Sequence, residues 1–249
     1  MRNIVLYTKN DHDFILLNES DASEENGLPS NQYLIRHKDT GVLLDPGGFG
    51  VMPSVLTELN QFLPPSKLKG IFLSHQDPDI VGGLTTWMEI TKADIYVSKI
   101  WLRFLPHYGI RDMKRFIGVG DGETGYTISP GFKLNILPAH FLHSPGQINV
   151  YDPVSKILFS GDVGGAVLSK NQESFFVDDF KNHIPKIESF HKRYMASNKA
   201  LQVWLATIKK YDIEMIAPQH GPIYRGKAVA DFKKWLSSLK CGVDLMKGK

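Results

Sequence analysis

The chain is poor in several things, and each shortage removes a class of function. Cysteine occurs once in 249 residues, so no intrachain disulfide framework exists; Cys241, in a basic C-terminal stretch, reads as an incidental thiol and not as a ligand. There is no apolar run long enough to span a bilayer. Nor is there a signal-peptide pattern, because Met1-Arg2-Asn3-Ile4-Val5-Leu6-Tyr7 gives way at once to Thr8-Lys9-Asn10-Asp11. A cytoplasmic protein without membrane association is expected. Arginine-rich runs with interleaved aromatics are absent and the net charge is only +3, which argues against nucleic-acid binding. Lys227, Lys233, Lys234 and Lys240 fit one solvated face of a last helix. Gly82-Gly83 has no G-x-G-x-x-G around it, so tight helix packing explains it better than phosphate binding.

What the chain does have is apolar residues, 42% of the total, enough for a large core and for one domain over residues 1–249. Alternation predicts half-buried strands at Asn3 to Tyr7, Phe14 to Leu17, Gln32 to Arg36 and Gly41 to Leu44. Asn18 to Ser30 is polar and acidic and reads as a mobile loop. A helix is expected over Pro53 to Leu59, with proline in its first turn, before a buried strand Ile71 to Leu73. Ser98 to Phe104 is helical by spacing, and Gly118 to Gly125 reads as a turn-rich loop. Val177 to Tyr211 predicts two helices broken near Ser197-Asn198, with Pro185 in or near the first. A last helix covers Lys227 to Leu239.

The most informative segment is His75-Gln76-Asp77-Pro78-Asp79-Ile80, three potential metal ligands on one turn after an apolar strand. A bland reading is available, in which Asp79 caps the following helix. Further ligand types at other strand ends decide against it. His143 follows the apolar run Phe132 to Leu137, Asp162 follows Lys156-Ile157-Leu158-Phe159, and His220 follows Ile213 to Ile216, each flanked by glycine or proline. Loops at the ends of a rigid sheet are where a scaffold holds a metal site.

Three imidazoles (His75, His143, His220) and three carboxylates (Asp77, Asp79, Asp162) are too many for one tetrahedral zinc and suit two metals sharing a bridge, for which Asp162 is the natural candidate. So much carboxylate hardens the site and favours iron or manganese over zinc, although zinc can compete on affinity. Two ferrous ions bring four positive charges against three carboxylates. Oxidation adds two more, which an oxo, hydroxo or peroxo bridge would balance.

With these residues in order, and with Asn31 to Ile35 followed by Leu43-Leu44-Asp45-Pro46-Gly47, nearly the whole chain resembles the metallo-β-lactamase superfamily. The resemblance implies an α/β fold, an αββα sandwich with a dinuclear centre at one edge. Most superfamily hydrolases carry His-x-His-x-Asp-His; here Asp77 stands at the second histidine and Ile80 at the last. The carboxylate at 77 is similar to the flavodiiron branch, as are Arg193 to Asn198 and Met215 to Arg225. The resemblance is strongest to single-domain oxygen-binding diiron proteins without a flavodoxin domain, so no FMN site is expected.

Ile80 leaves the second metal with Asp79, Asp162 and His220, hence an open position beside an apolar side chain, suited to dioxygen. His140 is the first alternative to fill that position; a hydrogen-bonding neighbour or a surface residue is its other reading. Tyr194 resembles a flavodiiron tyrosine able to donate to a metal-bound oxygen, against a plainer role as a core tyrosine. Gln76 and Gln219 flank ligands and are placed to orient them. His12, His37, His107, His183 and His191 read as packing or surface residues.

Two functional classes follow. One is a non-haem diiron protein that binds or reduces dioxygen, as an oxygen or redox sensor or as a reductase fed by an external electron donor. It would need a signalling or donor protein, and the family pairing suggests a homodimer. The other is a dinuclear zinc or iron hydrolase using a bridging hydroxide.

Overall fold

Alternate residues of most strands face different cores, which dictates four layers. The structure, a computed structural model, describes residues 3–17, 27–167 and 174–247. Among the described residues the first sheet holds β1 (Ile4–Lys9), β2 (His12–Leu17), β3 (Gln32–His37), β4 (Thr40–Leu44), β5 (Leu68–Phe72), β6 (Asp94–Ser98) and β7 (Phe116–Val119), in sequence order. The second holds β8 (Thr124–Ser129), β9 (Phe132–Pro138), β10 (Ile148–Asp152), β11 (Ile157–Gly161), β12 (Met215–Pro218) and β13 (Tyr224–Arg225), also in order. Phe14, Leu16, Tyr33, Ile35, Phe132, Ile136, Val150 and Phe159 fill the space between the sheets.

The opposite side chains, Ile15, Leu17, Leu34 and Leu43, meet α1 (Met52–Asn60), α2 (Pro78–Val81) and α3 (Leu84–Ile90) on the outer face of the first sheet. Leu137, Leu158 and Ile216 meet α4 (Phe180–Tyr194), α5 (Asn198–Ile208) and α6 (Lys227–Ser238) on the other side. The expected αββα sandwich is therefore the observed one. The first-sheet strands were expected to be half-buried, yet every residue of β2 is buried, because both faces are covered.

Several boundaries moved. Gly118 and Gly125 belong to β7 and β8, so the expected loop shrinks to the crossing between the two sheets. Of the helix expected over Ser98 to Phe104, Ser98 ends β6, Lys99–Trp101 is a short 3-10 helix and 102–104 is turn. Of the expected loop Asn18 to Ser30, residues 18–26 lie outside the described residues. The break at Ser197 is real: its hydroxyl accepts from Ala200 N–H and caps α5. Gly82 and Gly83 pack tightly, though against nearby backbone and not another helix: a Cβ would meet Pro78 O at 2.6 Å at Gly82 and Gly47 O at 2.9 Å at Gly83. Cys241 is not on an exposed tail; it is fully buried, and burial pushes its thiol up to about 11. No helix among the described residues is long and apolar enough to cross a membrane.

Strand direction places the site. β9 and β11 both run antiparallel to β10, and β12 runs parallel to β11. The loops after β9, β11 and β12 thus leave from one edge of the second sheet. The loop after β5 joins them there, tied by Ile148 N–H donating to Ser74 O at 2.9 Å.

Candidate metal centre

Four strand ends deliver the six predicted residues to one place: His75, Asp77 and Asp79 after β5, His143 after β9, Asp162 directly after β11 and His220 after β12. Asp162 is buried at the middle. Its Oδ2 lies 2.8 Å from His143 Nε2 and 3.4 Å from His75 Nε2, while its Oδ1 lies 3.5 Å from His220 Nε2. Asp77 Oδ2 closes the first group, 3.5 Å from His75 Nε2 and 3.3 Å from His143 Nε2. Asp79 Oδ2 closes the second, 3.2 Å from His220 Nε2. One carboxylate thus faces two groups of donors, the larger with His75, His143 and Asp77, the smaller with His220 and Asp79.

Helix capping does not account for these carboxylates. Asp77, not Asp79, stands at the N-cap of α2, and its side chain makes no capping hydrogen bond. It is turned away from the orphan amides toward the histidines. Gln76 Nε2 holds the other oxygen of Asp77 at 3.0 Å and is itself fixed by Ser144 Oγ at 2.8 Å. Gln219 Nε2 donates to Asp79 Oδ2 at 3.1 Å. Both glutamines therefore orient carboxylates, the role expected for them.

Two imidazoles have their tautomers fixed from behind. His220 Nδ1 donates to Pro29 O at 2.8 Å, which leaves Nε2 to face the aspartates. Ser74 Oγ donates to Asp45 Oδ2 at 2.6 Å and so accepts from His75 Nδ1 at 2.9 Å. Such support on the far nitrogen is what metal-binding histidines require. The sequence shows Asp45 only as part of an opening turn; the available signal is a carboxylate directly after the apolar run Val42 to Leu44. Burial pushes it up to about 7, with the His75 charge opposing.

Electrostatics give the same picture. Burial by itself would lower His143, but hydrogen bonds to Asp162 and Asp77 raise it to about 9. His75 and His220 are likewise raised despite burial, the first by Asp162 and the second by Asp79. Burial would raise Asp162, and the His75 charge with the His143 hydrogen bond instead holds it well below the usual carboxylate range. This is a pocket of concentrated negative charge that favours a cation at its centre.

The donor set fits a resident metal pair. Asp162 Oδ1 is buried without a hydrogen-bond partner, an expensive arrangement unless something else coordinates it. His75, His143 and Asp162 present donor atoms that all lie within 4.8 Å of one another.

A cavity of about 770 Å³ opens over the cluster, floored by Asp77, Asp79, His143, Asp162 and His220 and walled by Leu28, Phe49, Val51, Phe190 and Tyr194. Tyr194 is not a core residue: it is 55% exposed, stacks on Phe190 and meets the His143 ring edge-on at 5.5 Å. Ile80 does not border the cavity. It is fully buried in the core beneath the helices, so the apolar lining of the cavity comes from the other side chains just named and not from Ile80. His140 points away, its Nε2 3.3 Å from Asp121 O.

Sandwich and site together define a metallo-β-lactamase-like core of the flavodiiron type. A family model described as ODP family beta lactamase matches residues 28–221, and the chain belongs to that family. Among solved structures, the peroxy diiron species of chemotaxis sensor ODP is 43% identical with a TM-score of 0.88, over 98% of both chains. The apo state of chemotaxis sensor ODP from T. denticola is 44% identical with a TM-score of 0.87, over 98% of this chain and 97% of that one. Diflavin flavoprotein A 1 of Synechocystis sp. is 27% identical over 222 residues, 86% of this chain. The chain spans only 38% of that relative's length.

Proposed function

We propose that the chain is a non-haem diiron protein that binds dioxygen and works as an oxygen sensor. His75, His143 and Asp77 would hold one iron and His220 and Asp79 the other, with Asp162 shared between them. The observation that carries this is the Asp162 carboxylate, buried, with each oxygen turned to a different His/Asp group and one oxygen lacking any hydrogen bond. When bound, a ferrous pair would supply the electrons and the binding site for dioxygen. The chain's own residues do the rest: Gln76 and Gln219 aim the outer carboxylates, Ser74 and Pro29 fix the imidazoles, and Phe190 and Tyr194 shield the cavity from bulk water. The smaller group has one imidazole fewer because Ile80 occupies the position of a histidine.

The sensor reading over the reductase reading rests on the likeness, along almost the whole chain, to two structures named as a chemotaxis sensor. A separate signalling protein then reads the state of the centre, or an external donor reduces it. We place the protein in the cytoplasm, as one domain able to pair with a second copy. The hydrolase alternative gains nothing from these named relatives.

Anaerobic loading with ferrous iron, metal analysis and exposure to air under a visible spectrometer test the proposal. Two irons per chain and a new charge-transfer band support it. Zinc alone, with turnover of a thioester or phosphodiester, overturns it.

A further inference from the structure

The side chain of Asp162 cannot position itself, because its Oδ1 has no hydrogen bond and its Oδ2 faces only the residues it would share an ion with. Its aim is set by the main chain of the turn Ser160 to Gly165. Within that turn, Val163 N–H donates to Ser160 O, Ser160 Oγ donates to Val163 O at 2.6 Å, and Gly165 N–H donates to Asp162 O at 2.9 Å. The remaining groups of the turn are held from outside. Gly164 N–H donates to His191 Nε2 at 3.0 Å, and Gly164 O accepts from Tyr224 Oη at 2.7 Å.

The protonation of this support follows from its partners. Ile187 O can only accept, so His191 Nδ1, 2.8 Å away, carries the proton and Nε2 is left as the acceptor for Gly164. The single phenolic proton of Tyr224 goes to Gly164 O, so His183 Nε2, 3.2 Å from that oxygen, is its donor. Gly164 is at φ +94°, and a Cβ there would meet Tyr224 Cε2 at 2.9 Å. Only glycine lets the peptide lie this close to the ring. The same helix reaches the other side of the centre: Phe190 and Tyr194 of α4 touch the His143 ring, while His191 of α4 holds the Asp162 turn.

We infer that His191 and Tyr224, acting through the Gly164 peptide, are positioning residues that set the angle of the Asp162 carboxylate and its spacing from His143. The inference rests on the diiron reading for its consequence and on the metal-free geometry for its test. His191→Phe keeps a ring but removes the acceptor, His191→Gln restores an acceptor near the place of Nε2, and Tyr224→Phe removes the donor while keeping the packing. Trp204→Phe is the control for general destabilisation, since it removes a buried hydrogen bond from α5 to Asn149 Oδ1 of β10, away from the turn.

With two ferrous ions loaded, release to a chelator is expected to be at least tenfold faster in His191→Phe and Tyr224→Phe, and near the wild-type rate in His191→Gln and Trp204→Phe. Equal release from all four variants overturns the inference. Crystal structures of the metal-free proteins make the decision independent of iron. The 2.8 Å approach of Asp162 Oδ2 to His143 Nε2 is expected to open beyond hydrogen-bond distance in His191→Phe and to return in His191→Gln. An unchanged approach in His191→Phe overturns the inference whatever the metal content. A wild-type chain that takes up no iron pair sinks the diiron reading alone.

Discussion

Lowering the pH should destabilise the fold through His191 by an amount that can be worked out. The imidazole is completely buried, and burial lowers its pKa to about 4 from 6.5, with only small opposing contributions from the Ile187 carbonyl and the Asp162 charge. The other groups against it are the rings of Phe190, Phe232 and Trp235 and the Gly164 amide, none of which welcomes a cation on Nε2. The unfolded chain therefore takes up this proton first as pH falls. Stability from the neutral ring is complete above about 6.5 and is lost progressively as pH drops toward 4. At pH 5 the loss is about 2 kcal/mol, approaching about 3 kcal/mol at and below pH 4. The assay is urea unfolding of the metal-free protein at pH 7.5 and pH 5.0, for wild type and His191→Gln. His183, lowered to about 4 mainly by its own burial and further by the Lys186 and His191 charges, acts in the same direction in both proteins, so the difference reports chiefly on His191. The variant should lose about 2 kcal/mol less than wild type between the two pH values. Equal losses would refute the assignment of a buried neutral imidazole.

Three more outcomes follow from named contacts. Asp152 lies 2.9 Å from His12 Nε2 across the two sheets and accepts from Ser155, so Asp152→Ala, which leaves these buried donors without an acceptor, should cost about 1–3 kcal/mol or more in urea unfolding. Ile80→Ala should cost about 2–5 kcal/mol as a core cavity while leaving the metal count at that of wild type, which atomic absorption would check. Gln219→Ala removes the N–H that orients Asp79 and should weaken the affinity for one of the two ions by about 10- to 100-fold in a competitive chelator titration, with the other ion unaffected.

The six residues that the fold brings together were legible because each follows a recognisable apolar strand. His75, Asp77 and Asp79 need only one turn, and the glycine and proline around His143, Asp162 and His220 mark strand ends. What holds those residues was not legible. His191 sits 29 positions after Asp162 on a helix whose pattern explains it fully as packing, and only the fold shows its Nε2 against Gly164. Asp45 meets Ser74 across the parallel pair β4 and β5, a register that spacing does not reveal. The substitution at Ile80 was visible, but its direction was not: the side chain turns into the helix-side core, and the apolar cover of the cavity comes from Phe190 and Tyr194 in distant sequence. The strands of the first sheet were easier to find than to place, since burial on both faces turns alternation into continuous apolar runs.

Whether Asp162 bridges two irons is decided by anomalous diffraction from anaerobically loaded crystals, recorded on both sides of the iron edge. Two iron peaks are expected, one beside Asp162 Oδ2 among His75, His143 and Asp77, the other beside Asp162 Oδ1 with His220 and Asp79. A single peak, a zinc signal in place of iron, or two peaks that do not share Asp162 would contradict a diiron bridge.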